Sequence, residues 1–149
     1  MSDLQELYQS IILDHNRRPK NYGALEGANH RAAGRNPDCG DEVTVELLVS
    51  DDDRIEDVRF TSAGCAVSRA AASIMTQTVK GKSRAEVETL FATFHGLVTG
   101  KLHPTEKEAR AMGELAAFSG VARFPIRVKC ASMPWHTLQA ALRSDTSQA

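Results

Sequence analysis

The chain has no run of about 18 consecutive apolar residues, so no transmembrane helix is expected. Its opening, MSDLQELYQS, carries acids early and lacks a basic region leading into an apolar one, so it does not read as a secretory signal peptide. Neither sign of charge is in surplus: 18 Lys and Arg face 19 Asp and Glu, for a net charge of −1. A nucleic-acid footprint would require a basic excess, so no nucleic-acid partner is expected. Cysteine is scarce and odd in number, three in 149 residues, which suits a disulfide framework poorly. With no export signal, the expectation is a cytoplasmic protein whose thiols stay reduced. Its cysteines are then ligands, nucleophiles or small buried hydrophobes. There is also no repeat, no low-complexity block and no internal linker. Residues 1–149 are expected to form a single domain, with 42% hydrophobic and 25% charged residues to build an ordinary core.

What the chain does contain is a readable series of elements. Leu4, Leu7, Tyr8, Ile11 and Ile12 recur at helical spacing behind Ser2, a candidate N-cap whose capping box Gln5 would complete. Pro19 and Gly23 end that helix, and residues 24–35 read as a loop or an irregular edge segment. Val43, Val45, Leu47 and Val49 alternate with more polar neighbours, the period-2 mark of a strand. Asp51, Asp52 and Asp53 form a solvated hairpin turn, and the return strand RIEDVRFTSAG sets Val58 and Phe60 on one face. From Cys65 the sequence turns helical and Ala-rich, with Gly81 as its stop. Ser83 with Glu86 and Thr105 with Glu108 predict two more capped helices, the second opening before EARAMGELAAF. Pro125 suits the first turn of a last helix reaching about Leu142, and the tail RSDTSQA is expected to fray. Strands followed by helices predict an α+β fold: a small antiparallel β-sheet with helices packed on one face.

Each cysteine falls at a junction of these elements. Cys39 sits in the turn NPDCGD, Cys65 opens a helix after a strand, and Cys130 lies early in the last helix. None forms a CxxC knuckle, so spacing alone signals no zinc finger. Junctions cluster at one rim of a sheet, however, and there three thiols can converge. A zinc ion takes four thiolate, imidazole or carboxylate ligands in a tetrahedron. Asp41 lies two residues from Cys39, on the same side of an extended chain, with Gly40 between them to let the backbone bend. Cys65 at a helix N-terminus gains from the exposed N–H groups, which favour thiolate. Arg127 and Lys129 flank Cys130 and can offset surplus negative charge. Against this stands the plainer reading of Cys65 and Cys130 as buried filler. That reading suits Cys39 less, since its neighbours are Pro, Asp, Gly and Asp. His15 reads as solvated or C-capping, and His30, His95 and His103 as loop or helix-end residues. His136 is the alternative fourth ligand.

The motifs NPDCGD, GCAVSRAAASIM and FPIRVKCASMPWHTL, with the opening LYQSIILDHNRRPKNYG, resemble the SufU-type branch of the IscU/NifU N-terminal family, which serves iron–sulfur cluster assembly. Two features are similar to SufU rather than IscU proteins. Lys129 stands where IscU-type proteins carry His, and residues 96–121 accommodate an insertion between the second and third cysteines. The resemblance implies the SufE/NifU-like, IscU-type fold and a zinc ion on Cys39, Asp41, Cys65 and Cys130. It also implies sulfur handling: acceptance of persulfide sulfur by Cys39 from a pyridoxal-phosphate-dependent cysteine desulfurase of the SufS type. The downstream Suf cluster-assembly machinery then follows as a second partner, and Arg127 as an organiser of the site or the partner contact. Such a protein is a sulfurtransferase-like acceptor and desulfurase activator. The alternative on the same ligands is a scaffold for a transient iron–sulfur cluster or iron. Pro134 departs from the family pattern, because it has no N–H to offer the Cys130 carbonyl and is expected to kink or rearrange that helix.

Overall fold

The computed structural model describes residues 3–36, 40–119, 121 and 124–143, with side chains from residue 6 onward. Three antiparallel strands form one sheet in the order β1-β2-β3: β1 His30–Asn36, β2 Asp41–Val49 and β3 Ile55–Ala63. The helices are α1 (Asp3–Arg17), α2 (Ala66–Val79), α3 (Arg84–Val98), α4 (Glu106–Met112) and α5 (Pro125–Arg143), with a 3-10 helix at Gly113–Phe118. The architecture is α+β.

The β2 alternation does what its period predicts. Val43, Val45 and Leu47 are buried, and across the register Val45 meets Phe60 and Leu47 meets Val58. Val49 is only half-buried, because the register shifts between Leu48 and Val49 and Ile55 takes the buried place opposite. The acidic turn is tied rather than merely solvated: Arg84 donates from Nε to both Asp53 oxygens at 3.0–3.1 Å. On the sheet's inner face lie α2 and α5. The run Ala70, Ala71 and Ala72 lets α2 approach closely, and Trp135 stacks on Phe94 (centroids 5.2 Å) to join α5 to α3. Burying such rings gives large apolar areas and favours these offset geometries.

Several elements depart from expectation. Residues 30–36 form a regular seven-residue edge strand, paired with β2 from His30↔Leu47 to Asn36↔Asp41, not a loop or irregular segment. The stretch HRAAGRN holds no β-branched residue, so only pairing with β2 and packing under α5 reveal it. At Gly34 the helix comes so close that an added Cβ would lie 2.1 Å from Thr137 Oγ1. In α1, Ile11 and Ile12 pack against the core while Leu7 stays 54% exposed, so the apolar stripe is covered on one side only. Ser2 and the Gln5 side chain lie outside the described residues, as does the tail 144–149. The capping boxes at Ser83 and Thr105 both form. The second helix, however, stops at Met112, and GELAAF continues as a 3-10 turn from Gly113 (φ +63°). Helix α5 meets expectation: it starts at Pro125 and reaches Arg143, continuous across the buried Pro134.

Candidate metal centre

The first strand contact with the rim is Asp41, the opening residue of β2. It is fully buried, and one step beyond the Glu42↔Ala63 pair its cross-strand position is Gly64. Gly64 has φ +121°, a region an L side chain rarely adopts, and an added Cβ would fall 2.3 Å from Asp41 Oδ1 and 2.8 Å from its Cα. The backbone immediately after β3 thus presses on Asp41 as only glycine allows. The chain then enters α2. Its N-cap, Cys65, supplies no side-chain cap; instead Cys65 N–H donates to Asp41 Oδ1 at 2.5 Å. A carboxylate from a neighbouring strand satisfies one of the helix's orphan donors and sits at its positive end.

Helix α5 packs on α2 and the sheet and brings Cys130, 2% exposed, to the same place. One carboxylate oxygen of Asp41 and the sulfurs of Cys65 and Cys130 all lie within 4.8 Å of one another. Zinc ligands about 2.0–2.3 Å from the ion stand roughly 3.3–3.8 Å apart in a tetrahedron, so a contraction of at most about 1.5 Å would close the set. Two soft thiolates and a carboxylate fit zinc, and thiolates equally suit iron–sulfur centres. Cys65 is half-buried and the other two are buried, so the cluster opens to solvent on the Cys65 side.

The remaining candidates are placed as follows. Cys39 lies outside the described residues, between β1 and Gly40; Gly40 itself takes φ +71° immediately before Asp41. Arg127 is exposed and its guanidinium lies over the Phe124 ring at 4.5 Å. Lys129 is exposed beside Cys130. His136 is not in the cluster: its ring packs edge-on against Phe91 (5.2 Å) and near His95 (6.5 Å), because six helical residues turn it away from Cys130. Burial, then His95, holds its pKa below the ordinary value. His15 is neither solvated nor a cap. It is 2% exposed, its Nε2 donating to Glu114 (3.1 Å) and its Nδ1 2.6 Å from the Ser73 hydroxyl. His30 opens β1 and donates from Nδ1 to the Ala141 carbonyl at 2.8 Å. Sequence reasoning gave Gly64 no role; a glycine directly ahead of a helix-opening cysteine was the available signal.

An α+β frame carries two thiols and a carboxylate to one rim, a group that could hold a metal ion. Comparison with known proteins places it further. The model of the NifU-like N-terminal domain matches residues 7–131, and the chain belongs to that family. A Streptococcus pyogenes serotype M1 protein named iron-sulfur cluster assembly scaffold protein IscU is 38% identical over 143 residues, covering 96% of this chain and 87% of its own. The Bacillus subtilis (strain 168) protein named zinc-dependent sulfurtransferase SufU is 33% identical over 144 residues, covering 97% and 95%. A crystal structure from Fervidobacterium islandicum AW-1, described as a putative iron-sulfur cluster assembly scaffold protein for the SUF system, superposes with a TM-score of 0.81 at 34% identity. It covers 93% of this chain and 98% of its own. The family is thus that of iron–sulfur cluster assembly. Among the described residues no helix is long and apolar enough to cross a membrane.

Proposed function

We propose that this chain is a zinc-dependent sulfur-transfer protein of iron–sulfur cluster assembly. It accepts persulfide sulfur from a pyridoxal-phosphate-dependent cysteine desulfurase of the SufS type and passes it toward cluster assembly. The observation that carries this reading is the convergence of Asp41, Cys65 and Cys130 at one rim. Cys39, two residues from Asp41, completes a four-ligand set in the proposal. The likeness to the Bacillus subtilis sulfurtransferase supports the choice of zinc.

When bound, zinc keeps its thiolates deprotonated at neutral pH while screening them. The chain's own residues do the rest. Asp41 is held by the Cys65 N–H and gives a harder, more exchangeable ligand than a fourth thiolate. Gly40, at positive φ, lets the backbone turn immediately before Asp41. The Cys39 thiolate attacks the outer sulfur of the desulfurase persulfide. A new sulfur–sulfur bond forms at Cys39, the old one breaks, and the desulfurase cysteine leaves as thiolate. Arg127, three residues before Cys130, organises the partner contact.

Elemental analysis of aerobically purified protein is expected to find about one zinc per chain, as a single tetrahedral site requires. A Cys65→Ser variant that keeps full zinc affinity overturns the ligand set. The protein is further expected to raise turnover of a cognate desulfurase, and Cys39→Ala to lose that effect. Unchanged stimulation by the variant rejects Cys39 as acceptor. A second reading, a scaffold for a transient iron–sulfur cluster, is favoured by the likeness to the Streptococcus pyogenes protein. Colour separates the two, because a cluster absorbs visible light and a zinc site does not.

A further inference from the structure

A groove of about 500 Å³ runs between β1 and α5. One wall is the strand from Ala33 to Asn36, and the other is a stripe of α5 that includes Val128, Ser132, Met133 and His136. The groove is mostly apolar inside. Its charged lining residues are the basic Arg35 and Lys129, with no acid among the lining residues. Strand β1 is the edge of the sheet, and among the described residues no strand pairs with its outer side. An unpaired edge is a template for another strand, and main-chain pairing with alternate side-chain pockets is a recurring way to bind an extended peptide.

Charge selects the occupant. Arg31, Ala33 and Arg35 share the solvent face of β1, and the two arginines remain 58% and 72% exposed despite facing Glu46 and Glu42 of β2. A second copy pairing along β1 would set arginine beside arginine, and like charges on neighbouring strands are unfavourable. A strand with acids on one face meets both arginines, while its alternate apolar side chains enter the groove against Val128 and Met133. The position also matters. Asn36, which lines the groove, pairs across the β1–β2 ladder with Asp41, so one end of the groove adjoins the candidate cluster. Building on the sulfur-transfer reading, we propose that the groove takes an extended strand, alternating acidic and apolar, from the protein that exchanges sulfur with this chain. That strand joins the sheet as a fourth member and aligns the two reacting centres.

The test uses the full zinc-loaded chain and a labelled seven-residue peptide alternating Glu and Val, matched to the length of β1. Fluorescence anisotropy is expected to show saturable binding that salt weakens, and hydrogen exchange to show protection of the 30–36 amides. The Lys–Val counterpart should not bind, and the double variant Arg31→Glu with Arg35→Glu should weaken the Glu–Val peptide by about tenfold or more. Equal binding of the Lys–Val peptide, an unchanged affinity in the double variant, or protection elsewhere overturns the proposal. So does protection of β1 that grows with protein concentration alone, which would mark a second copy. In the desulfurase assay the double variant, its zinc content intact, should need about tenfold more protein for half-maximal stimulation. An unchanged requirement overturns the docking proposal and leaves the sulfur-transfer reading standing. Failure of the unmodified chain to stimulate a desulfurase strikes that reading instead, and the peptide measurement is unaffected by it.

Discussion

Among the contacts that hold Asp41 are the Cys65 N–H that it accepts and the bare backbone of Gly64 pressed against it. Gly64→Ala adds a methyl group 2.3 Å from the carboxylate at a φ of +121°. Backbone strain and steric overlap are expected to cost about 2–3 kcal/mol of folding stability. Zinc affinity should fall with it, read by urea denaturation and metal titration. A variant as stable and as tightly metallated as the parent would show that Gly64 does not hold Asp41. Residue types around Cys39, Cys65 and Cys130 named the candidates and Asp41 with them. The contact that orients Asp41 was not legible, since nothing local marks which glycine stands opposite it in the sheet.

Helices announced themselves where their ends carry chemistry. Ser83 accepts from the Glu86 N–H at 3.2 Å while Glu86 accepts from the Ser83 N–H at 2.9 Å, as the S-x-x-E pattern predicts. Ser83→Ala should cost about 1 kcal/mol in urea unfolding and leave zinc stoichiometry unchanged, because α3 contributes no residue to the cluster. A loss of zinc in that variant would show that α3 governs the site through α5. Strand β1 was the element local sequence could not name. Its small and charged residues have weak strand preference, and it forms because β2 offers a ladder and α5 a roof. The 3-10 turn after Met112 likewise follows from Gly113 and from packing of Leu115 and Phe118 into the core, not from the helical pattern of GELAAF.

Across the whole molecule, acid is expected to weaken the fold in two windows. His136 titrates below its ordinary 6.5 because burial, with His95 nearby, disfavours its charged form. The unfolded chain then takes up the proton first, so stability falls as pH drops from about 6.5 through the lower folded value. His136→Gln removes that dependence, and urea midpoints at several pH values should decline less steeply below neutrality. An identical decline would assign it elsewhere. The second window belongs to Glu114. Burial alone would raise its carboxyl, but hydrogen bonds from Gln77 and His15 and the charges of His15 and Lys20 outweigh this and hold it below 4.5. That contribution is present above 4.5 and is lost as pH falls through the folded value. Glu114 is 41% exposed, so solvent screens much of it. By itself the sequence determined the periods of the main strands and helices, the caps, and the donor types able to hold a soft metal, because these rest on local spacing and side-chain chemistry. Only the tertiary structure decided that Asp41, Cys65 and Cys130 meet, that His15 is buried and that β1 lies open beside a basic groove. Those facts depend on long-range register and helix packing, which bring distant residues together without leaving a mark in their neighbours.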